Sequence, residues 1–253
     1  MNSKYYGWGF PINISTHGAD IDRLINAVHI FMALLFAGWF LFFVYVIFRF
    51  RQKTGIKSEY HVKHFKTPTY LEAGVAVTEM ILLFVFSIPI WHHLKKAFPD
   101  DSKALHVRVV AEQFAWNVHY PGKDGIFGKT DPNLMNATNP LGLDSADPAA
   151  ADDITTINQL YIPVDTPVIV NLSSKDVIHS FSLTVMRVKQ DVIPGQLIPI
   201  WFQAKATGDF EIACAQLCGL GHYRMRGFFI VQSKEKFSAW LNEQAAQKGA
   251  PVA

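Results

Sequence analysis

The stretch Cys214-Ala-Gln-Leu-Cys218-Gly-Leu-Gly-His222-Tyr-Arg-Met225 carries both cysteines of the chain, an imidazole and a thioether within twelve residues. Thiolate and thioether donors select soft ions and imidazole suits copper and zinc alike, so the combination points to copper in an electron-transfer role. Zinc sites are built from Cys, His and carboxylate ligands and leave the methionine without a use. A second imidazole is available upstream at His179, in Asp176-Val177-Ile178-His179-Ser180-Phe181, between a Val/Ile-rich run and a second apolar run. Single-copper sites of the blue type need one Cys, two His and a weak axial Met. This loop holds one thiolate more, and two bridging thiolates fit two copper ions. The plainer reading is a Cys214–Cys218 disulfide, which an oxidising compartment permits. It leaves His179, His222 and Met225 unexplained.

Around the loop, from about Leu105 to Gln232, lie short β-branched and aromatic runs: Val107 to Tyr120, Gln159 to Pro163, Pro167 to Leu172, Val177 to Val185, Gln196 to Gln203, Asp209 to Cys214 and Phe228 to Val231. These read as strands. Seven or so strands in one domain without a helical period between them suit a Greek-key sandwich or barrel. Between Pro121 and Thr156 lies an insertion rich in Gly, Pro, Asn and Asp, with Asp124, Asp131, Asp144, Asp147, Asp152 and Asp153 against Lys123 and Lys129. Such a run is either a solvated face or an acidic surface that steers a basic partner towards the metal loop.

Ahead of this domain, Ile30 to Phe48 is uncharged over nineteen residues, about 28 Å as a helix, which matches the hydrocarbon thickness of a bilayer. Ala73 to Trp91 is a second such stretch, interrupted by Glu79 and followed by His92, His93, Lys95 and Lys96 at interfacial positions. A cleaved signal peptide is the alternative for the first run, but the leading residues are polar and no small-residue cleavage site follows, so the N-terminus is expected to be retained. In the loop between the runs Arg49, Arg51, Lys53, Lys57, Lys63 and Lys66 face Glu59, which places that loop in the cytoplasm. Both termini and the metal loop then lie outside, on the periplasmic face of a bacterial-type inner membrane. The net charge of +2 averages over this polarity, and no nucleic-acid partner is expected. The resulting division is an outer-face segment 1–22, a transmembrane hairpin 23–96, a β-domain 104–232 with its insertion 121–156, and a helix and tail 233–253, where Phe237, Trp240 and Leu241 fall at helical spacing.

The loop, with His179 upstream and the turn Lys189-Gln190-Asp191-Val192-Ile193-Pro194-Gly195 between the two, resembles the binuclear copper (CuA) site in subunit II of haem-copper cytochrome oxidases. The resemblance extends over nearly the whole chain and implies a cupredoxin-like Greek-key β-barrel behind a two-helix anchor. It makes Cys214 and Cys218 bridging thiolates, His179 and His222 terminal imidazoles, Met225 the axial donor on one copper, and Gln216 a backbone-carbonyl donor to the other. The family has Glu at the Gln216 position, where its carboxylate also reaches a magnesium ion at the boundary with subunit I. A neutral amide is a poorer ligand for a hard cation, so that site is expected to be weak, altered or absent.

The resemblance further implies a protein that accepts electrons from an external cytochrome c, or a cytochrome c domain of another complex, and passes them through His222 to haem in subunit I. Subunit I, further oxidase subunits and lipid are the implied partners. Glu72 matches a family Glu at the mouth of a proton channel, although Val75 and Glu79 depart from the surrounding pattern. The segment Gln113-Phe114-Ala115-Trp116-Asn117-Val118-His119-Tyr120 has Phe114 where many relatives have the Trp through which electrons enter, and Trp116 and Tyr120 match later aromatics expected beside the copper loop. A c-type haem within this chain is not expected, since its attachment needs Cys-x-x-Cys-His and the sequence has no further cysteine, so the donor is expected to be separate. Rival readings are a CuA-bearing nitric oxide reductase subunit, a quinol oxidase subunit, which lacks the copper ligands, and a membrane-tethered copper-delivery protein, whose histidine would follow its cysteines at long range.

Overall fold

The computed structural model describes residues 5–6, 9–55 and 65–248 of the chain. Lys57, Glu59 and Lys63 of the basic loop lie outside the described residues, as do 249–253 of the tail. The chain forms two compact units, one of Asp20–His93 and one of the segments Met1–Ala19 and Leu94–Ala253.

In the first unit, α1 spans Gly18–Arg49 and α2 spans Thr67–Lys96. At about 1.5 Å per residue each exceeds 40 Å, so both helices outrun the apolar stretches that mark lipid depth. α1 begins where the Ser15 hydroxyl accepts the amide of Gly18 at 2.8 Å, with Asp20 in its first turn and Arg49 in its last, both favourable to the helix dipole. α2 opens with a proline in its first turn, where no amide is needed. It contains a π-helical segment, Leu82–Ser87, directly before Pro89. A helix-interior proline cannot bond the carbonyl four residues back and its ring crowds that carbonyl, which the wider turn relieves. Trp39, Phe43, Leu71 and Phe84 are exposed, and the most apolar window of each helix has no buried residue. Helices apolar around their circumference and left uncovered fit a lipid environment. Glu72 and Glu79 are exposed on α2.

The second unit is a sandwich of two five-stranded sheets. Its strands are β1 (Leu105–Glu112), β2 (Ala115–Tyr120), β3 (Ile154–Ile157), β4 (Gln159–Pro163), β5 (Pro167–Ser174), β6 (His179–Leu183), β7 (Val188–Val192), β8 (Ile198–Gln203), β9 (Gly208–Cys214) and β10 (Arg226–Gln232). One sheet has the order β8-β5-β1-β2-β3 and the other β4-β10-β9-β6-β7. The β1–β5 and β4–β10 pairs are parallel and the rest antiparallel. Alternate residues of β1, Val107, Val109 and Ala111, enter a core shared with Leu160, Ile162, Phe181, Phe202, Ile212 and Phe229.

Three expectations about strands need correction. The run 107–120 is a hairpin that turns at Gln113-Phe114. The insertion's last residues form β3, paired with β2. Lys189–Val192 belongs to edge strand β7, paired with β6, and the turn follows it at Gly195, whose φ of +74° suits glycine.

Residues ahead of α1 join the barrel. Ile14 is buried, its amide bonds the Val185 carbonyl at 2.9 Å, and the Lys205 amide bonds the Ile14 carbonyl at 2.7 Å. At the far end, the helix α3 (Lys234–Lys248) buries Phe237 and stacks Trp240 on Tyr161 with ring centroids 4.3 Å apart.

Candidate metal centre

Two strands and the connection between β9 and β10 converge on one point. His179 opens β6 and has no exposed surface. Cys214 closes β9, whose last residues pair with β6 through Cys214 and Phe181, so the ladder that joins the strands also brings the imidazole to the thiol. The connection to β10 then folds back: the amide of His222 bonds the Gly219 carbonyl, and those of Arg224 and Met225 bond Gly221 and His222. These tight turns return Cys218, His222 and Met225 towards Cys214.

The two sulfurs lie 3.8 Å apart, beyond the roughly 2.05 Å of a disulfide, and both cysteines are free. Cys214 Sγ is 3.9 Å from Nδ1 of His179 and 3.2 Å from the Gln216 carbonyl oxygen. Cys218 Sγ is 3.6 Å from Nδ1 of His222 and 3.7 Å from Sδ of Met225. Thus each sulfur faces one imidazole. The carbonyl stands beside one thiol and the thioether beside the other. Among the described residues the ligand atoms of His179, Cys214 and Cys218 all lie within 4.8 Å of one another, and His222 and Met225 complete the group through Cys218. The Gln216 side chain is exposed and takes no part. Soft sulfur donors with imidazoles fit copper, and two thiols placed between two imidazoles fit a pair of ions.

Burial pushes the Cys218 thiol up to about 11, with a further contribution from the Cys214 thiol beside it. Cys218 therefore holds its proton until a cation displaces it.

His179 is oriented from behind. Its Nε2 donates to Oδ1 of Asp176 at 2.9 Å, which leaves Nδ1 as the free lone pair on the sulfur side. The same carboxylate accepts the amides of Gln113 at 2.7 Å and Val177 at 2.6 Å. Partial burial works against the Asp176 charge, but the donors from His179, Gln113 and Val177 outweigh it and hold the pKa below the usual carboxylate range. Gln113 and Asp176 were not singled out from the sequence as site residues. The Asp-x-x-His spacing carries a signal for Asp176; Gln113 carries none, being 63 positions from Asp176.

Trp116 is fully buried, with its ring centroid 6.2 Å from that of His179. Tyr120 is a correction. It points to the same face of β2 but about 13 Å further along the strand, where its hydroxyl bonds the carbonyl and amide of Tyr161 at 3.0 and 2.8 Å and its ring meets Trp240. It supports the terminal helix rather than the loop. Phe114 packs on the loop itself: a Cβ on Gly221 would collide with its ring, and one on Gly219 would lie 3.2 Å from its Cζ.

The insertion's carboxylates hold its own loops. Asp152 accepts the Lys123 amide, Asp147 that of Lys129, Asp131 that of Asn133 and Asp124 that of Ile126. Asp153 is buried, 2.6 Å from Nε2 of His119 and 2.8 Å from the Gly128 amide.

The sequence profile of the family described as "Cytochrome C oxidase subunit II, periplasmic domain" matches residues 105–233. An alternative cytochrome c oxidase subunit 2 of Bradyrhizobium diazoefficiens is 34% identical over 243 residues, covering 96% of this chain and 86% of the relative. The cytochrome c oxidase subunit 2 of Cereibacter sphaeroides is 26% identical over 248 residues, covering 92% and 77%. The crystal structure of the periplasmic domain of subunit II of cytochrome oxidase of Bradyrhizobium japonicum superposes with a TM-score of 0.44 at 27% identity, covering 60% of this chain and 99% of that one.

Proposed function

Since the chain belongs to the cytochrome c oxidase subunit II family and is a membrane-anchored component of such an oxidase, we propose that it is the subunit at which electrons enter, through a binuclear copper centre. Cys214, Cys218, His179, His222, Met225 and the Gln216 carbonyl would hold the ions. The observation that carries this reading is the pairing of each sulfur with one imidazole, within 3.6–3.9 Å. Copper would supply a one-electron acceptor there.

The chain's own residues do the rest. Asp176 fixes the tautomer of His179, and the buried Trp116 keeps water from its flank. A cytochrome c, or a cytochrome c domain of another complex, delivers electrons one at a time, and His222 leads them towards haem in subunit I. The acidic insertion attracts that donor. The amide of Gln216 leaves the subunit boundary a poor magnesium site. Glu72 is proposed to take up protons on the cytoplasmic side.

Topology supports a periplasmic copper centre. The segment ahead of α1 is hydrogen-bonded to the barrel, and α2 leads back into it, so the chain must cross the lipid an even number of times. The basic loop between the helices then faces the cytoplasm.

The test is copper content and paramagnetic resonance of the purified full chain. Two coppers sharing one unpaired electron are expected. A single ion, or none, in an assembly that still transfers electrons at full rate overturns the reading.

A further inference from the structure

We propose that Gln113 is a positioning residue for the copper centre, a brace that sets the Cys218 turn in register with the His179 strand; this rests on the copper reading. Gln113 occupies the turn between β1 and β2 and bonds both halves of the ligand set. Its backbone amide donates to Oδ2 of Asp176 at 2.7 Å, and Oδ1 of Asp176 holds His179. Its side-chain Nε2 donates to the Cys218 carbonyl at 2.6 Å. One residue, through its backbone amide on one side and its side chain on the other, therefore links the carboxylate behind one imidazole to the backbone of Cys218.

The brace is itself anchored. Ala111 pairs with Ser174 in the parallel β1–β5 ladder, the Lys175 amide bonds the Ala111 carbonyl at 3.0 Å, and the neighbours Glu112 and Lys175 form an ion pair at 2.6 Å. These bonds fix the hairpin turn against Asp176 before the side chain reaches across. On the far side, the backbone bonds from His222 to Gly219 and from Arg224 to Gly221 close on the copper loop itself, so they shape the loop without locating it. Phe114 adds packing, since its ring fills the space beside Gly219 and Gly221. A shift of the loop away from the turn would break the Cys218 bond and lengthen the distance between the Cys218 sulfur and the His179 ring. An electron-transfer site benefits from a frame that resists such movement when its charge changes.

Gln113→Met matches the side chain in length and removes the donor, while Gln113→Glu matches it and sets a second acceptor against the Cys218 carbonyl. In the full chain the expected rate of copper release to a chelator rises about tenfold for Gln113→Met and further for Gln113→Glu, in the range found when supports of metal ligands are removed. The paramagnetic resonance pattern changes in the same order, and amide exchange over 214–225 in the copper-free chain speeds up while β1 and β5 stay protected. Gln113→Lys, which keeps N–H donors, restores release to within about threefold. A merely structural role would lower the melting temperature and leave the resonance pattern and release rate as they are. Gln113→Met with wild-type release, resonance and exchange overturns the proposal, and it decides alone if Gln113→Glu does not fold. A wild-type chain that takes up no copper sinks the copper reading instead, with the exchange comparison still deciding the brace.

Discussion

Replacing Asp176 with alanine removes the acceptor of three N–H groups. The Nε2–H of His179 sits on a side chain with no exposed surface, so leaving it unpaired carries the desolvation penalty of a buried donor, about 1–3 kcal/mol. The amides of Gln113 and Val177 bond Asp176 at exposed positions and turn to water at a cost of roughly 0.5 kcal/mol each. Asp176 is itself about one-third exposed, at 32%, so water reaches the vacated place and the sum falls near the lower end, about 2 kcal/mol. Since His179 then loses its fixed tautomer, copper affinity falls about 10–100-fold. Asp176→Asn keeps one carbonyl oxygen for His179 and sets its NH₂ against the Gln113 amide, so about half that loss is expected. Chelator competition on the full chain measures affinity, and thermal unfolding of the copper-free form measures stability. If Asp176→Ala holds copper within threefold of wild type, the argument from the orphaned imidazole is wrong. If Asn and Ala lose equally, negative charge rather than the acceptor is what matters.

Gln216→Glu should leave copper binding unchanged, since the carbonyl rather than the side chain faces Cys214, and should create a manganese or magnesium site in the assembled oxidase; a changed copper spectrum would contradict the assignment. Tyr120→Phe removes both hydrogen bonds to Tyr161, costs about 2 kcal/mol and lowers the melting temperature by about 5 °C, while the copper spectrum stays constant. A shifted spectrum would mean that Tyr120 reaches the centre after all. In the copper-free chain the Cys218 thiol is raised to about 11, so stability is complete below the unfolded thiol's pKa of about 8.5 and declines as pH rises towards 11. Copper, which replaces the proton, abolishes that decline, and a flat profile without copper would refute the burial argument. Electron entry from cytochrome c should slow by about tenfold or more between 0.01 and 0.15 M salt, as the screening length falls from about 30 to about 8 Å; a rate indifferent to salt removes the steering role of the insertion.

The cluster of candidate donors was legible because it is local. Four donors sit at spacings of four, four and three residues, and soft donors leave few metals to choose from. His179 was legible through its place before an apolar run. The two long apolar helices were legible in number, but their ends were not: an apolar run marks only the apolar part of a helix, and α1 begins twelve residues before Ile30, where the Ser15 hydroxyl and Asp20 favour a helix start. Strands were misjudged where the local signal and the pairing disagree. No Gly, Asn or Pro marks the Gln113-Phe114 turn inside 107–120, so an unbroken run concealed a hairpin. β7 alternates between partly buried and exposed positions along an edge, and its Lys, Gln and Asp read as turn.

Charge gave the least reliable guidance. Six aspartates in the insertion look alike in sequence, yet Asp153 lies buried against His119 while Asp124 is on the surface. The difference is set by the partner each one meets, and that partner is often far away in the chain. Gln113 shows the same limit more sharply, because the residues it joins are 63 and 105 positions away. Periodicity and spacing describe what a residue does to its neighbours along the chain. The second layer around a metal is built from residues that the sheet brings together, so it becomes visible only when the register of β1 on β5 is known.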